Sequence, residues 1–391
     1  MVENPLTCAK KRKARILILV VLALVLLVAG MYHDRHAASA YDERNVWIRA
    51  FSPAEEEGPF FAEGFVDPAG PGRMSHVSSV APLPGGNVAV VWYSGSREGA
   101  RDIAIHYAEY DPESGWGASR VLLTCEQCAH ELGRHVKKLG NPVLVSDAMD
   151  RLWLFYASVV EGGWSMASIN YKVSRDWGKT WSRSEKIVLS PFFNLTNNVK
   201  NKALLLDDGS FLLPVYHELI RKMSYILHVI PNDGGLRCEL IRIGTKGKAI
   251  QPALLHEGGR SLLALMRNMN GGSALMSRSY DLGRTWTPIV ESSLPNPNSG
   301  FDAIGVDGAG YLAVVNDSGD RSRLALMLSA DRGRTWRTIH VLEDRAGREY
   351  SYPSIVRSGN GRYHITYTYE RTRIKHATFN SAWLEEKIDR R

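Results

Sequence analysis

The sequence predicts an all-β protein, a six-bladed β-propeller preceded by one N-terminal transmembrane helix. Two features predict the propeller: an octapeptide that occurs three times, and a series of strand-length apolar runs separated by Gly, Asp and Asn. A third feature, one long apolar run near the N-terminus, predicts the helix. From Ser75 onward no long helical period competes with the short runs, so we expect the body of the chain to consist of β-sheet.

The N-terminal region predicts a membrane anchor. Five basic residues between positions 10 and 15 precede an apolar run of seventeen residues, 16–32. Such a run is at the short end for a membrane span, and its positive flank predicts a cytoplasmic N-terminus and an exported body, periplasmic or extracellular. A cleavage-like sequence at 38–40 lies beyond several charged residues, so an uncleaved single-pass anchor is favoured over a cleaved signal peptide.

Composition divides the chain into four parts. Residues 1–15 form a basic cytoplasmic segment, 16–32 the transmembrane helix, 33–73 a linker rich in Pro, Gly and Glu, and 74–384 the propeller. Much of the net charge of +7 lies in the N-terminal segment. No second basic run interleaved with aromatic residues follows, so a nucleic-acid partner is not expected.

The repeated octapeptide has the pattern S-x-D-x-G-[KR]-T-W and occupies residues 174–181, 279–286 and 329–336. Each copy lies between two apolar runs, where two strands would turn. Asp can accept backbone N–H bonds within such a turn, Gly allows a positive φ, and Trp can pack beneath the turn. We therefore interpret the octapeptides as structural hairpin turns and not as ligand-binding sites.

The spacing of the octapeptides gives the blade count. The aspartates of the last two copies are 50 residues apart (331 − 281), and those of the first two are 105 apart (281 − 176), which is two units with one copy missing. A Gly-rich turn at 232–235 stands near the missing position, a degenerate turn at 110–116 precedes the first copy, and a final unit ends near Phe379. Six units of about 50 residues match four-stranded propeller blades.

The cysteines do not predict a disulfide framework. Cys125 and Cys128 form C-x-x-C, with His130 and His135 close behind. This spacing is tighter than that of ordinary zinc sites, so a local disulfide or free thiols are favoured over a metal. No motif calls for a cofactor.

Polar residues recur at corresponding places in all six units and predict a polar funnel at one mouth of the central channel. They include many Arg, Lys and His side chains. Because Arg binds a carboxylate with two parallel charge-assisted hydrogen bonds, this composition favours an anionic ligand.

The octapeptide is the Asp-box, and the chain resembles the sialidase (neuraminidase) superfamily from about Met74 to the C-terminus. The strings GNPV, NPNSG, SYPSI and RIKHA resemble in particular a bacterial branch of sialidase-like Asp-box (BNR repeat) proteins. The resemblance implies a glycosidase that holds the sialic-acid carboxylate with three arginines. It also implies a tyrosine nucleophile activated by a glutamate, and an aspartate as general acid/base.

By position, Arg267 resembles one carboxylate-binding arginine and Arg321 another, with Arg323 as its rival. Tyr352 resembles the nucleophile, and Asp102 resembles the general acid/base.

Two positions depart from the pattern. His76 stands where the first arginine is expected, and Arg73 lies slightly early. Gln251 stands where the glutamate partner of the nucleophile is expected, and Glu349 and Glu370 are the substitutes that the sequence offers. The candidate catalytic residues are Tyr352, Asp102, Glu349 and His76, and the candidate substrate-binding residues are Arg267, Arg321, Arg97, Asn141, Lys202, His217, Gln251, Asn298, Asp302 and Arg371.

Three functions fit these residues. The first is a membrane-tethered, sialidase-like glycosidase that removes a terminal acidic sugar from a glycoconjugate or polysaccharide. The second is a hydrolase or lyase acting on another acidic, uronate-containing polysaccharide, because a His76/Tyr352 pair near a neutralised carboxylate suits proton abstraction. The third is a non-enzymatic glycan-binding propeller. The expected partners are an acidic glycan and, through the N-terminal helix, the membrane.

Overall fold

A computed structural model describes residues 16–22, 44–47, 58–67, 74–189, 197–219, 221–232 and 235–389. The chain divides into two units, Met1–Arg44 and Asn45–Arg391. In the first unit, residues 16–22 form helix α1, whose apolar side chains are exposed. No helix within the described ranges is long and apolar enough to cross a membrane. The basic segment 1–15, residues 23–32 of the expected membrane helix and most of the linker 33–73 lie outside the described residues, so the anchor and its topology stay predictions.

The second unit is a six-bladed β-propeller, as the box spacing predicts. A short strand, β1 (Phe61–Phe65), comes first in the chain. Blade one contains β2 (Met74–Pro82), β3 (Val88–Gly95), β4 (Ala104–Asp111), β5 (Gly115–Trp116) and β6 (Arg120–Thr124). Blade two contains β7 (Lys138–Ser146), β8 (Leu152–Val159), β9 (Ala167–Ser174) and β10 (Glu185–Lys186). Blade three contains β11 (Asn197–Val199), β12 (Leu204–Leu205), β13 (Phe211–His217), β14 (Met223–Asn232) and β15 (Gly235–Arg242).

The last three blades follow the same antiparallel order. Blade four contains β16 (Ala249–Gly258), β17 (Ser261–Asn268), β18 (Ser273–Ser279) and β19 (Val290–Pro295). Blade five contains β20 (Asp302–Val306), β21 (Gly310–Val315), β22 (Arg323–Ser329) and β23 (Arg337–Asp344). Blade six contains β24 (Tyr350–Arg357), β25 (Tyr363–Tyr369), β26 (Arg373–Phe379) and β1. Helix α2 (Cys125–Leu132) links blades one and two, and helix α3 (Ser381–Asp389) follows blade six.

The ring closes through its first and last strands. β1, which lies in the stretch expected to be linker, pairs antiparallel with β26, so that Phe61 faces Phe379 and Phe65 faces Lys375. The inner strand of blade one also contacts the inner strand of blade six. Because the first and last strands, β1 and β26, share one blade, unfolding of that blade would open the ring.

Apolar layers between neighbouring blades hold the propeller together. Between blades two and three, for example, Val143, Phe155, Phe211 and Val229 pack in one fully buried cluster. Burying side chains of this size contributes about 1.5–3 kcal/mol each. Central strands are covered on both faces, which is why β8 reads as a continuous apolar run.

All three Asp-boxes are turns between the third and fourth strands of a blade. In the first box the Asp176 carboxylate accepts bonds from the Ser174 hydroxyl at 2.7 Å, the Thr180 amide at 2.8 Å and the Thr180 hydroxyl at 2.6 Å. The Trp181 indole donates to the Gly178 carbonyl at 3.0 Å. The carboxylate bonds recur at Asp281 and Asp331, which confirms the interpretation of these motifs as hairpin turns.

Of the alternatives for the C-x-x-C motif, the structure has free thiols. Cys125 lies in the first turn of α2 and donates to the Ile103 carbonyl at 3.3 Å, whereas the Cys128 sulfur lies 3.4 Å from the Tyr156 hydroxyl. Burial raises the pKa of each thiol to about 11, so both behave as small apolar groups in the core.

Candidate active site

Four inner strands carry the same irregularity near their first residues. In each, the pairing register shifts at a bulge whose residue has a positive φ: Val77 (50°), Asn141 (47°), Gln251 (51°) and Tyr352 (50°). In the last three a proline follows, and proline needs no ladder partner for its nitrogen. Such backbone costs roughly 1–3 kcal/mol per residue and tends to occur at functional sites. Bulges also re-aim side chains, and these four mark one mouth of the propeller.

A hydrogen-bond chain joins three of these bulges. The Tyr216 hydroxyl accepts from Asn141 Nδ2 at 3.1 Å and from Gln251 Nε2 at 3.3 Å. Gln251 Oε1 accepts from Arg267 Nη1 at 3.1 Å, and the same Nη1 lies 3.4 Å from the Tyr352 hydroxyl. Blades two, three, four and six therefore contribute to one connected site.

Tyr352 stands at the centre of this site. The Arg321 guanidinium lies 5.4 Å from the centre of its ring, and the His76 ring meets it edge-on at 4.9 Å. Gly300 packs against it so closely that a Cβ there would lie 2.8 Å from Tyr352 Cδ1. The structure thus brings His76, Arg267, Arg321 and Tyr352 together.

Buried polar groups hold the bulges from below. Lys200 is fully buried and donates to the Pro353 carbonyl at 2.6 Å and the Phe301 carbonyl at 3.1 Å. Burial lowers its pKa to about 7. Asn201 donates to the carbonyls of Gln251 at 3.2 Å and Pro252 at 3.0 Å. These bonds tie the inner strands together and keep Gln251 and Tyr352 in place.

Glu349 links two arginines at the mouth. Its carboxylate accepts from Arg321 Nη1 at 3.1 Å, Arg371 Nη1 at 3.3 Å and the Ser351 hydroxyl at 2.8 Å. Burial alone would raise the pKa of Glu349, but the Ser351 hydroxyl and the two guanidinium groups lower it below its ordinary value. Glu349 is therefore an ionised carboxylate that positions Arg321 and Arg371.

No carboxylate among the described residues hydrogen-bonds to the Tyr352 hydroxyl. Glu349 is engaged with the arginines, and Glu370 pairs with Arg348 at 3.2 Å. Neither of the substitutes offered by the sequence takes the place of a glutamate partner in this geometry.

His76 is neutral in this environment. Its side chain is 1% exposed, and its Nδ1 lies 3.0 Å from the Thr368 hydroxyl. Burial, followed by the charges of Arg371 and Arg321, lowers the pKa of His76 well below 6.5. An uncharged imidazole next to Tyr352 cannot replace an arginine as a carboxylate ligand.

Lys202 and Asp302 are paired with each other beneath the bulges. Lys202 Nζ lies 2.8 Å from both oxygens of the buried Asp302 carboxylate, which also accepts from the Ile355 amide at 3.0 Å. Lys202 lines a cavity of about 680 Å³ together with later residues of the inner strands, such as Leu144 and Leu255. The pair joins blades three, five and six away from Tyr352.

The remaining predicted residues occupy the loops around the mouth. Asp102 accepts from the amide and hydroxyl of Ser96 at 2.9 Å, which closes its own loop, and Arg97 is exposed in that loop. His217 ends β13, and Asn298 accepts from Arg267 Nε at 2.8 Å.

Arg323, the rival of Arg321, pairs with Asp317 at 3.2 Å and Asp344 at 3.4 Å on blade five. The geometry therefore favours Arg321 as the arginine of the site.

Two further carboxylates lie at this mouth, Glu98 and Glu218, and neither was among the candidate site residues predicted from the sequence. Glu98 accepts from Arg371 Nη2 at 2.5 Å and from the Trp164 indole at 3.1 Å. Glu218 follows Tyr216 by two residues at the end of β13, and burial raises its pKa despite the nearby cations. Their positions in the sequence could have identified them as candidates, because each lies in a polar stretch directly after a central strand.

Comparisons with known proteins agree with this architecture. The BNR repeat-like domain model matches residues 86–365. A sialidase from Bacteroides fragilis is 25% identical over 229 residues, which is 55% of this chain and 41% of that protein, so the match spans about two fifths of its length. The structure of a protein of unknown function from Dyadobacter fermentans has a TM-score of 0.66 at 13% identity, covering 83% of this chain and 100% of that one.

Two sialidase structures share the fold. The Hadza microbial sialidase Hz136 has a TM-score of 0.64 at 18% identity, covering 78% of this chain and 65% of that one. The sialidase of Trypanosoma rangeli in complex with the inhibitor DANA has a TM-score of 0.64 at 12% identity, covering 85% and 62%. The family match, the three Asp-boxes and the six blades agree, and the chain therefore belongs to the BNR repeat-like domain family as a sialidase-like BNR repeat protein.

Proposed function

We propose that this protein is a sialidase-type glycosidase that removes a terminal acidic sugar from a glycoconjugate or polysaccharide. The observation that carries the proposal is a tyrosine among arginines at the mouth of the propeller. Arg267 contacts the Tyr352 hydroxyl, Arg321 lies over the ring, and Arg371 shares Glu349 with Arg321. The sialidases among the structural neighbours support the same class.

The arginines would bind the carboxylate of the acidic sugar. Arg267 is held by Gln251 and Asn298, and Arg321 by Glu349 and the Asn298 carbonyl, so both guanidinium groups are oriented before a ligand arrives. Planar guanidinium groups bind carboxylates with paired, charge-assisted hydrogen bonds. Because the donors are already in place, little side-chain entropy is lost on binding.

Tyr352 would be the nucleophile. After the Tyr352 hydroxyl has lost its proton to water, its phenolate oxygen would form a bond to the anomeric carbon while the bond to the leaving oxygen breaks and the leaving oxygen takes up a proton. Arg267 Nη1, 3.4 Å from that oxygen, would stabilise its negative charge in the role that a glutamate base plays by proton removal. Water would then attack the anomeric carbon and release the phenolate.

The test is hydrolysis of an aryl sialoside by the full-length protein and by a Tyr352→Phe variant. We expect the variant to lose about a thousandfold or more in kcat, because the nucleophile is removed. Tyr280→Phe is the matched control, since Tyr280 is 65% exposed in an Asp-box. Full activity of Tyr352→Phe would refute the mechanism. Sialoside binding without turnover by the wild type would favour the glycan-binding function instead.

The geometry of His76 favours a second candidate, β-elimination on a uronate. His76 is neutral and lies against Tyr352, while Gln251 leaves the tyrosine without a carboxylate partner. In such a reaction His76 would take the proton next to the carboxylate, the bond to the leaving oxygen would break, and Tyr352 would protonate that oxygen.

Elimination and hydrolysis are separated by their products. Elimination leaves an unsaturated uronate that absorbs in the ultraviolet, and His76→Gln should abolish it. A panel of uronate polysaccharides that yields no such product would count against this candidate.

A further inference from the structure

The mouth contains one carboxyl group that the functions above leave unused, that of Glu218. It directly follows β13, whose residue Tyr216 is buried and hydrogen-bonded to Asn141 and Gln251. The positive charges of Lys222, Arg267 and Lys138 act on the Glu218 carboxyl. The Tyr216 hydroxyl lies within electrostatic range of both Glu218 and Tyr352. Glu218 therefore lies at the mouth, two residues beyond the tyrosine that bonds the bulged residues Asn141 and Gln251.

Two other carboxylates around this mouth are bound by arginines. Glu98 binds Arg371 and the Trp164 indole, and Glu349 binds Arg321 and Arg371. Each of these carboxylates is bound by a guanidinium group.

Glu218 differs from them. It is half-buried, and among the described residues its carboxyl makes neither an ion pair nor a hydrogen bond. Burial raises its pKa above the ordinary value, although Lys222, Arg267 and Lys138 oppose the shift. The pKa of Glu349 is shifted in the opposite direction. Carboxyl groups whose pKa values are separated by their environments in this way divide into proton donors and charge stabilisers.

We infer that Glu218 is the general acid/base of the site, the group that protonates the leaving oxygen. The inference rests on the proposed function and gives Glu218 the role that the sequence pattern assigns to Asp102, whose carboxylate is bound to Ser96.

In the first step the glycosidic bond breaks, its electron pair passes to the leaving oxygen, and that oxygen takes the Glu218 proton while the phenolate oxygen of Tyr352 bonds to the anomeric carbon. In the second step a water molecule attacks the anomeric carbon. Its proton goes to the Glu218 carboxylate, and the bond to Tyr352 breaks.

The experiment compares two acidic glycosides on the full-length protein, one with a nitrophenol leaving group and one with an alkyl alcohol. A nitrophenolate leaves without protonation, whereas an alkoxide does not. We expect Glu218→Gln to lose about 100- to 10,000-fold in kcat/KM, which reports the step that breaks the glycosidic bond, on the alkyl glycoside and far less on the nitrophenyl glycoside. The alkaline limb of the pH profile should also disappear, because that limb reports deprotonation of the acid. Glu291→Gln, on an exposed outer strand of blade four, is the control and should match the wild type.

A Glu218→Ala variant with added azide adds a test that a purely structural role would not pass. We expect azide to restore turnover of the nitrophenyl glycoside, because a small anion can occupy the vacated position and attack the covalent intermediate. Equal losses of Glu218→Gln on both glycosides with an unchanged pH profile, or no loss at all, would overturn the inference and leave the proposed function standing. A wild type inactive on both glycosides would overturn the proposed function and this inference with it.

Discussion

A buried histidine pair in blade six predicts that the protein loses stability on mild acidification. His364 Nδ1 and His376 Nε2 lie 3.0 Å apart, and their rings stack at 5.2 Å. Both side chains are buried, at 0% and 3% exposure. Burial lowers the pKa of His376 from 6.5 to about 3, and burial and then the neighbouring His376 lower that of His364 well below 6.5. The nitrogen that accepts the shared hydrogen bond cannot take a proton without breaking it.

The direction of the effect follows from proton linkage. The unfolded chain binds a proton at each histidine near pH 6.5, whereas the folded chain does not until far lower pH, so acid favours the unfolded state. The stability is complete above the unfolded pKa and is lost as the pH falls from 6.5 towards the folded value. For His376 at about pH 5, a gap of about 1.5 pH units corresponds to about 2 kcal/mol. His364 and His76 act in the same direction.

The assay is urea unfolding of the full-length protein followed by tryptophan fluorescence at about pH 7.5 and pH 5, a range in which ordinary carboxylates stay ionised. We expect the wild type to lose about 2 kcal/mol or more in its free energy of unfolding, and His376→Gln to lose about 2 kcal/mol less than the wild type. His135→Gln, at an exposed histidine, is the control and should follow the wild type. Equal losses of stability in His376→Gln and the wild type between the two pH values would show that the buried histidine pair does not cause the acid sensitivity.

Three further predictions concern packing and pairing. Gly300→Ala places a Cβ 2.8 Å from Tyr352 Cδ1 and 3.0 Å from Gln251 Oε1. Because these side chains must then shift, kcat should fall at least about tenfold, and the free energy of unfolding should fall by about 1–3 kcal/mol. Wild-type kinetics in this variant would contradict the close fit. Lys202→Met leaves the buried Asp302 carboxylate without its cation and should lower the free energy of unfolding, measured in urea, by about 3–5 kcal/mol. Adding Asp302→Asn should recover part of that stability. A change in KM alone would mean that Lys202 binds substrate. Thr285→Val removes the 2.6 Å bond to Asp281 and should cost about 1 kcal/mol with kcat unchanged; a loss of kcat in a stable variant would mean that the Asp-boxes serve the site.

The repeat could be predicted from local sequence, whereas the strand pairing that closes the ring of blades could not. The Asp-box recurs because each copy makes the same short-range hydrogen bonds, and its spacing therefore counts blades. Strand β1 has no such signature. It is five residues long, and its partner β26 lies more than 300 residues further along the chain, so only the closed ring reveals the pairing.

The proximity of three candidate residues could be predicted from their spacing to the Asp-boxes. Arg267, Arg321 and Tyr352 could be located by counting from the boxes, and the structure brings them together. The role of each carboxylate could not be predicted in this way, because it depends on how deeply the carboxylate is buried and on which cation it contacts. Asp102 and Glu98 share one loop, yet Asp102 turns back to Ser96 while Glu98 reaches Arg371.

The bulged inner strands explain how the site can depart from the sialidase pattern without a change of fold. At two of the bulges the backbone is fixed from below, at Gln251 by Asn201 and at Tyr352 by Lys200 through the Pro353 carbonyl. The bulged side chain lies at the mouth, so exchanging it alters the chemistry while the blades stay in place. Gln251 can thus stand where a glutamate is expected and still leave Tyr352 in position beside Arg267. If Tyr352 is a nucleophile, its activation must then come from the arginines, and a proton for the leaving group must come from a carboxyl that no arginine holds.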